Sequence, residues 1–284
     1  LRALGNSTVP LVFLAVSAIL NIAWDLLFVA VFHWGIAGAA YATIYAQYVS
    51  GIGILLYVLF RCRSLFPERK DLCFDGGILK EIAGLSSLTC LQQSVMNFGI
   101  LMVQGLVNSF GATTMAAFAA AVKIDTFAYL PVQDFGNAYS TFVAQNYGAG
   151  NKERIRRGTK ESFAISTVFS LVISALVFAF AAPLMQIFVS SAETAVIASG
   201  VRYLRIEGAF YFGIGCLFLL YGYYRAIKRA EMSVVLTVIS LGIRVLLAYV
   251  LSATFLGETG IWMAIPIGWI LADLTGLLYM RKTW

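Results

Sequence analysis

Two groups of polar side chains sit inside stretches that otherwise hold little but apolar residues, and their spacing is what could carry chemistry. In "LQQSVMNFGILMVQGLVNSFG", Gln93, Asn97, Gln104 and Asn108 recur at intervals of 4, 7 and 4 residues. On a helix they fall within about 60° of one another. In "MAAFAAAVKIDTFAYLPVQDFGNAYSTFVAQNYGAG", Lys123, Thr126, Asp134, Asn137, Thr141 and Gln145 share a helix face about 100° wide. Amides can orient a polar ligand. A lysine and a carboxylate in a poorly solvated site can exchange protons with small movements, because burial disfavours the charged form of each. Asp134 is the preferred carboxylate: it lies in line with Lys123 and comes just after Pro131, whose missing N–H frees a backbone carbonyl and bends a helix. Pro131 is therefore the expected hinge.

Asp125, Tyr129 and Gln133 complete the candidate set on this segment, with Asp125 and Gln133 pointing away from Lys123 unless Pro131 rotates the lower half. Glu207 and Arg244 are the remaining candidates. Each has a plainer reading beside the functional one. The amides can bond across helices, Lys123 can form an inert ion pair with either aspartate, Glu207 can pair with Arg205, and Arg244 with Asp273. Asp25 is a possible cavity residue near the end of its segment, and His33 beside Trp34 reads as an interfacial anchor.

The elements that must position these residues can be read from composition. The 284 residues are 60% hydrophobic and only 12% charged, with a mean hydropathy of +0.84. Soluble domains carry about twice that charged fraction, so the solvent for this chain is lipid. Eight apolar blocks reach the length of about 20 residues that a spanning helix needs. They run over 9–32, 36–60, 82–108, 115–146, 162–188, 203–224, 232–256 and 260–280. Backbone amides in lipid must be satisfied within their own segment, and barrel-like alternation is absent, so the expected fold is all-α. The class is a polytopic membrane helical bundle of about eight spans.

The net charge of +6 is distributed by side. Basic residues collect in alternate loops: Arg61, Arg63, Arg69, Lys70 and Lys80; Lys152, Arg154, Arg156, Arg157 and Lys160; Arg225, Lys228 and Arg229; then Arg281 and Lys282. The positive-inside bias puts these loops and the C-terminus in the cytoplasm, in a plasma membrane. The charge orients the chain and calls for no nucleic acid. Cys62, Cys73, Cys90 and Cys216 have no metal-like spacing, and a cytoplasmic setting disfavours disulfides.

An internal repeat organises the blocks. "LRALGNSTVPLVFLAVSAILNIAWDLLFV" aligns with "YRAIKRAEMSVVLTVISLGIRVLLAYVLS", and after a two-residue shift Gly35-Ile36 faces Gly260-Ile261 and Gly51 faces Gly276. Weak internal symmetry of this kind marks secondary transporters. The expected organisation is 1–60 as the last two helices of one lobe, 61–81 as a cytoplasmic inter-lobe loop, and 82–284 as a second lobe of six helices. Four helices are expected to precede residue 1, giving a parent of twelve. With a single His, no P-loop and no paired base for any serine, the chain is not expected to be an enzyme or to hold a cofactor or metal.

"LRALGNSTVP", "NIAWDLLFV", "GIAGAAYATIYAQ", the long segment ending in "AQNYGAGN", and "YYRAIKRAEMS" resemble the MATE (multidrug and toxic compound extrusion) antiporters. The resemblance covers nearly the whole chain, as helices five to twelve of that family. It implies a two-lobe fold, with organic cations or amphipathic drugs exported from the bilayer-embedded protein against Na⁺ or H⁺. NorM-like members carry an acid on the seventh helix, near Gln93 and Ser94 here, and on the tenth, near Ile214. None of these three is acidic. DinF-like members use an aspartate on the first helix, outside this chain, so the likeness is DinF-like and places coupling outside it. The alternatives are a lipid-linked oligosaccharide flippase, for which only Lys123 and Arg244 offer cavity cations, and a non-transporting membrane scaffold.

Overall fold

A computed structural model describes residues 1–2, 5–63 and 74–283, without the Thr283 side chain. The described chain is helical throughout. It begins with α1 (Thr8–Asp25), which continues as a π-helical stretch over Leu26–Val31, then α2 (Gly35–Arg61). Next come α3 (Gly76–Ser109), α4 (Ala112–Gly148), α5 (Lys152–Phe188), α6 (Thr194–Gly208) and α7 (Tyr211–Ala226). A short α8 (Ala230–Thr237) passes through a second π-helical stretch, Val238–Gly242, into α9 (Ile243–Ser252), and α10 (Glu258–Thr283) completes the described chain. Among the described residues, seven helical stretches are long and apolar enough to cross a membrane, and eight if α6 and α7 count as one bent span. This is the all-α polytopic bundle expected from the apolar blocks.

Two compact units divide the chain, Leu1–Gly76 and Gly77–Trp284. Residues 64–73, with Arg69, Lys70 and Cys73 of the expected loop, lie outside the described residues; Gly76 to Glu81 are already helical. In the first unit, α1 and α2 form a hairpin. Gly38, Ala42 and Ala46 recur every fourth residue and bring the two backbones close. Ser17 and Ser50 then reach across to donate to the Ala46 and Phe13 carbonyls. The two segments aligned in the sequence each contain a π-helical stretch, Leu26–Val31 in the first and Val238–Gly242 in the second.

The second unit is built around α7. Tyr211, Gly213, Gly215, Leu217 and every residue from Leu219 to Tyr224 are buried. Glycine lets the neighbours approach: a Cβ on Gly222 would stand 2.6 Å from the Gly136 carbonyl oxygen of α4, and one on Gly136 would stand 3.0 Å from the Phe218 carbonyl oxygen. After α7, the turn through "YRAIKRA" closes with Lys228 N–H on the Arg225 carbonyl and Arg229 N–H on the Tyr224 carbonyl, with Lys228 at φ +61°. This is the two-bond helix stop that usually recruits glycine.

Two breaks shape the interior of this unit. The block expected as a single span over 203–224 is instead α6 and α7, bent by 52° at Ala209–Phe210, with α6 beginning at Thr194. Its three charged residues, Arg202, Arg205 and Glu207, depress local hydropathy and hid the first turns from an apolar-run reading. The second break concerns proline. α4 runs on as helix through Pro131, whereas α5 leaves helical torsions at Phe180, three residues before Pro183. The proline ring crowds the carbonyl one turn earlier, and α5 yields there.

Candidate functional site

α4 has two polar surfaces, and the structure separates them. Lys123, Asp134 and Asn137 are exposed, with Tyr129 and Gln133 half-buried between that face and the core. Lys123 stands 5.8 Å from the Phe188 ring centroid and lines a cavity of about 590 Å³ with Glu193. Among the described residues it pairs with neither aspartate. Asp134 likewise has no hydrogen-bond or ion-pair partner there, and Asn137 accepts from Arg225 at 3.3 Å. Thr126 and Thr141 bond back to their own helix. Tyr129 stacks on Phe218 at 6.4 Å. On α3, Gln93, Asn97, Gln104 and Asn108 form an exposed stripe beside the buried row of Gln92, Gly99, Val103 and Val107. The α3 stripe and Lys123, Asp134 and Asn137 of α4 are thus exposed among the described residues.

Asp125 lies on the other side of α4, 4% exposed, in the row with Ala121, Ala128 and Val132. The break between α6 and α7 swings two residues toward it. Glu207, 6% exposed, comes from the last turn of α6, and Tyr211 from the first turn of α7. The Tyr211 hydroxyl donates to Asp125 Oδ1. Tyr203, Glu207 and Arg244 are the neighbouring polar groups, and Tyr211 is the one side chain among the described residues that closes a hydrogen bond on Asp125. Arg244 is delivered by the second residue of α9, directly after the π-helical stretch. Asp125 Oδ2, Glu207 Oε2 and Arg244 Nε are buried without a hydrogen-bond partner. Aromatic rings close one side: Trp262 packs edge-to-face on Tyr203 at 4.9 Å and stacks on Phe118 at 5.6 Å.

The chemical content is two carboxylates taken out of water and one half-buried guanidinium. With all three ionised the cluster carries one negative charge in excess, and a buried uncompensated charge is strongly unfavourable. One monovalent cation, a proton included, would neutralise it. A broken helix beside buried acids is also where transporters leave backbone groups free for a small ion. No group of three or more His, Cys, Asp or Glu suited to a metal ion occurs among the described residues.

The simpler pairings do not form. Arg205 lies over the Phe178 ring at 5.3 Å and leaves Glu207 to the interior. Asp273 makes no ion pair with Arg244 among the described residues, and its Oδ1 is buried without a hydrogen-bond partner. Asp25 is half-buried at the α1 π-junction, with Oδ1 unpartnered. Sequence reasoning missed Tyr203 and Tyr211, and also Glu258. That carboxylate accepts from Thr114 at 2.9 Å, Ser199 at 3.1 Å and Arg202 at 3.4 Å, tying the ends of α4, α6 and α10 opposite the basic loops. A tyrosine carries no polarity signal inside an apolar run, so only proximity reveals its role.

A family model described as MatE matches residues 88–250, more than half of the chain and the part that holds the cluster. The chain belongs to the MatE family. It is 32% identical over 284 residues to "Probable multidrug resistance protein YpnP" of Bacillus subtilis, covering 99% of this chain and 62% of that protein. It is 27% identical over 288 residues to "Probable multidrug resistance protein NorM" of Thermotoga maritima, covering 98% and 61%. A mutant structure of the Vibrio cholerae MATE transporter VcmN superposes with a TM-score of 0.91 at 23% identity, covering 99% of this chain and 64% of that one, a likeness of fold. The chain thus spans a little over three-fifths of the length of these MatE relatives.

Proposed function

We propose that the chain serves a secondary transporter that exports organic cations or amphipathic drugs by antiport with H⁺ or Na⁺, from a bacterial plasma membrane, with its C-terminus in the cytoplasm. The observation that carries this reading is the pair of buried carboxylates, Asp125 and Glu207, with the half-buried Arg244 near them at the break between α6 and α7, a net-negative set with unpartnered carboxylate oxygens. Binding one cation there changes the electrostatic cost of the site, which is the minimum that ion coupling requires. Family membership and the multidrug names of its relatives support the substrate class. This reading puts coupling residues within the chain and so departs from the DinF-like expectation, which placed coupling outside it.

The exposed amides of α3 and the Lys123–Asp134–Asn137 face of α4 form one wall of the substrate route. Polar groups are retained on spanning helices where they meet water or each other. Asp134 there attracts a cationic substrate and Lys123 tempers that attraction. Catalysis has no place in the scheme, and the energy comes from the ion gradient.

The test is dye efflux from proteoliposomes on imposing a pH or a Na⁺ gradient. Efflux is expected to accelerate with one of the two gradients and to collapse with the matching ionophore. Equal efflux with and without either gradient contradicts antiport.

A further inference from the structure

We propose that the basic end of the second unit holds a binding site for the phosphate headgroup of an anionic phospholipid, in the cleft between the start of α5 and the end of α10. Two adjoining cavities of about 550 and 810 Å³ open there and share Lys152. One is lined by Arg229 and Lys282, the other by Arg156, Lys160 and Arg281. Six cations thus line the two adjoining cavities, against the single carboxylate of Glu153. Arg229 is held in place, donating to the Tyr279 hydroxyl at 2.5 Å with its guanidinium 5.9 Å from the same ring.

Two features select a lipid over a soluble anion. The wall of the larger cavity changes from charge to hydrocarbon within one turn, at Phe163 on α5 and Leu277 on α10. Deeper along the same flanks, Leu171 and Leu274 are 52% and 53% exposed. A headgroup among the cations therefore leaves its acyl chains against exposed leucine. Second, the cations surround an interfacial position at the helix ends, where basic clefts between spanning helices recognise anionic headgroups. Arg154 and Arg157 belong to the same loop but face elsewhere, Arg154 over Phe142 at 5.9 Å and Arg157 on Glu161 at 2.9 Å. They provide a control of equal charge.

The experiment is native mass spectrometry of the purified protein titrated with dioleoylphosphatidylglycerol or dioleoylphosphatidylcholine, for the wild type, R156Q/R281Q and R154Q/R157Q. Each double variant removes two positive charges from exposed positions, and circular dichroism checks that both are folded. The expected result is retained phosphatidylglycerol and not phosphatidylcholine, weakened about tenfold or more in R156Q/R281Q and nearly unchanged in R154Q/R157Q. Equal loss in both variants means general attraction to a basic surface and overturns the site, as does no loss in either. Displacement of the lipid by millimolar inorganic phosphate or glycerol phosphate assigns the cleft to a soluble anion and overturns the lipid assignment.

Discussion

Tyr211 and Asp125, 86 residues apart in the chain, meet in the core, the tyrosine hydroxyl donating to one carboxylate oxygen of the aspartate. The contact exists because α6 and α7 do not run straight into each other: the 52° bend turns the first residue of α7 toward α4. Tyr211→Phe removes that donor with little change in the ring's volume. Its expected stability cost is about 1–3 kcal/mol, the ordinary penalty for a buried acceptor left unsatisfied. The functional expectation is a shifted midpoint in the pH dependence of transport. A pH profile identical to wild type would separate Tyr211 from the coupling site.

Asp134 and Asp125 should behave differently, although they share a helix. Asp134 is exposed on the open polar face and Asp125 is enclosed. Asp134→Asn is expected to raise the KM for a cationic dye several-fold and leave the dependence on the driving ion intact. The measurement is initial efflux rate against dye concentration at two values of the ion gradient. Loss of ion dependence in Asp134→Asn would move the coupling role to the outer face.

Gly222→Ala tests the packing that holds the cluster's helices together. The added methyl meets the Gly136 backbone carbonyl at 2.6 Å, and backbone cannot swing aside as a side chain does. A loss of about 1–3 kcal/mol is expected from the forced separation of α4 and α7. Gly51→Ala is the control, since nothing lies within 4 Å of a Cβ there. Thermal unfolding in detergent should lower Tm for the first and not for the second.

Glu258 predicts a local effect at the opposite end. Glu258→Ala removes the shared acceptor of Thr114 and Ser199 and the partner of Arg202. Hydrogen exchange should quicken at the first turns of α4 and α10 and stay unchanged around Tyr139 and Thr159, which bond to each other at 2.7 Å at the far end. Uniform quickening along both helices would mean that the carboxylate supports the whole bundle.

Lys228 gives a pH prediction outside the spans. Its hydrogen bond and charge interaction with Glu81 raise the amine above its ordinary value. A group whose folded value is raised contributes stability that is present below the unfolded value and lost as pH climbs through the folded one. The pair is solvent-exposed, so its contribution at neutral pH is small and salt-sensitive. Lys228→Gln should therefore lower Tm slightly at pH 7 in low salt, and the difference from wild type should vanish at strongly alkaline pH. A difference that grows with pH contradicts the assignment.

Much of the bundle was legible because lipid makes a simple demand: enough apolar residues in a row to span it. That demand located α1 to α5, the span formed by α8 and α9, and α10. It misread α6, where Arg202, Arg205 and Glu207 interrupt the run, and it could not see the bend, since Gly208–Ala209–Phe210 carries no proline to announce it. The candidate site divided in the same way. Periodicity found the faces where polar residues gather, and these are the open faces of α3 and α4. Asp125 stands alone among alanines and valines on its face, so spacing within α4 gives it no companions. Its hydrogen-bond partner Tyr211 arrives from α7, and its charged neighbours Glu207 and Arg244 from α6 and α9, through tertiary packing.

If Asp125 and Glu207 hold the coupling ion, removing their charge must uncouple transport. The most direct test is gradient-driven efflux in proteoliposomes for the wild type and the Asp125→Asn/Glu207→Gln double variant, with monodispersity checked for both. The amides keep the shape of the carboxylates and remove their charge. The double variant is predicted to move dye only down the dye's own gradient, with no response to an imposed pH or Na⁺ gradient. Full gradient-driven efflux by that variant would contradict a coupling role for the buried pair.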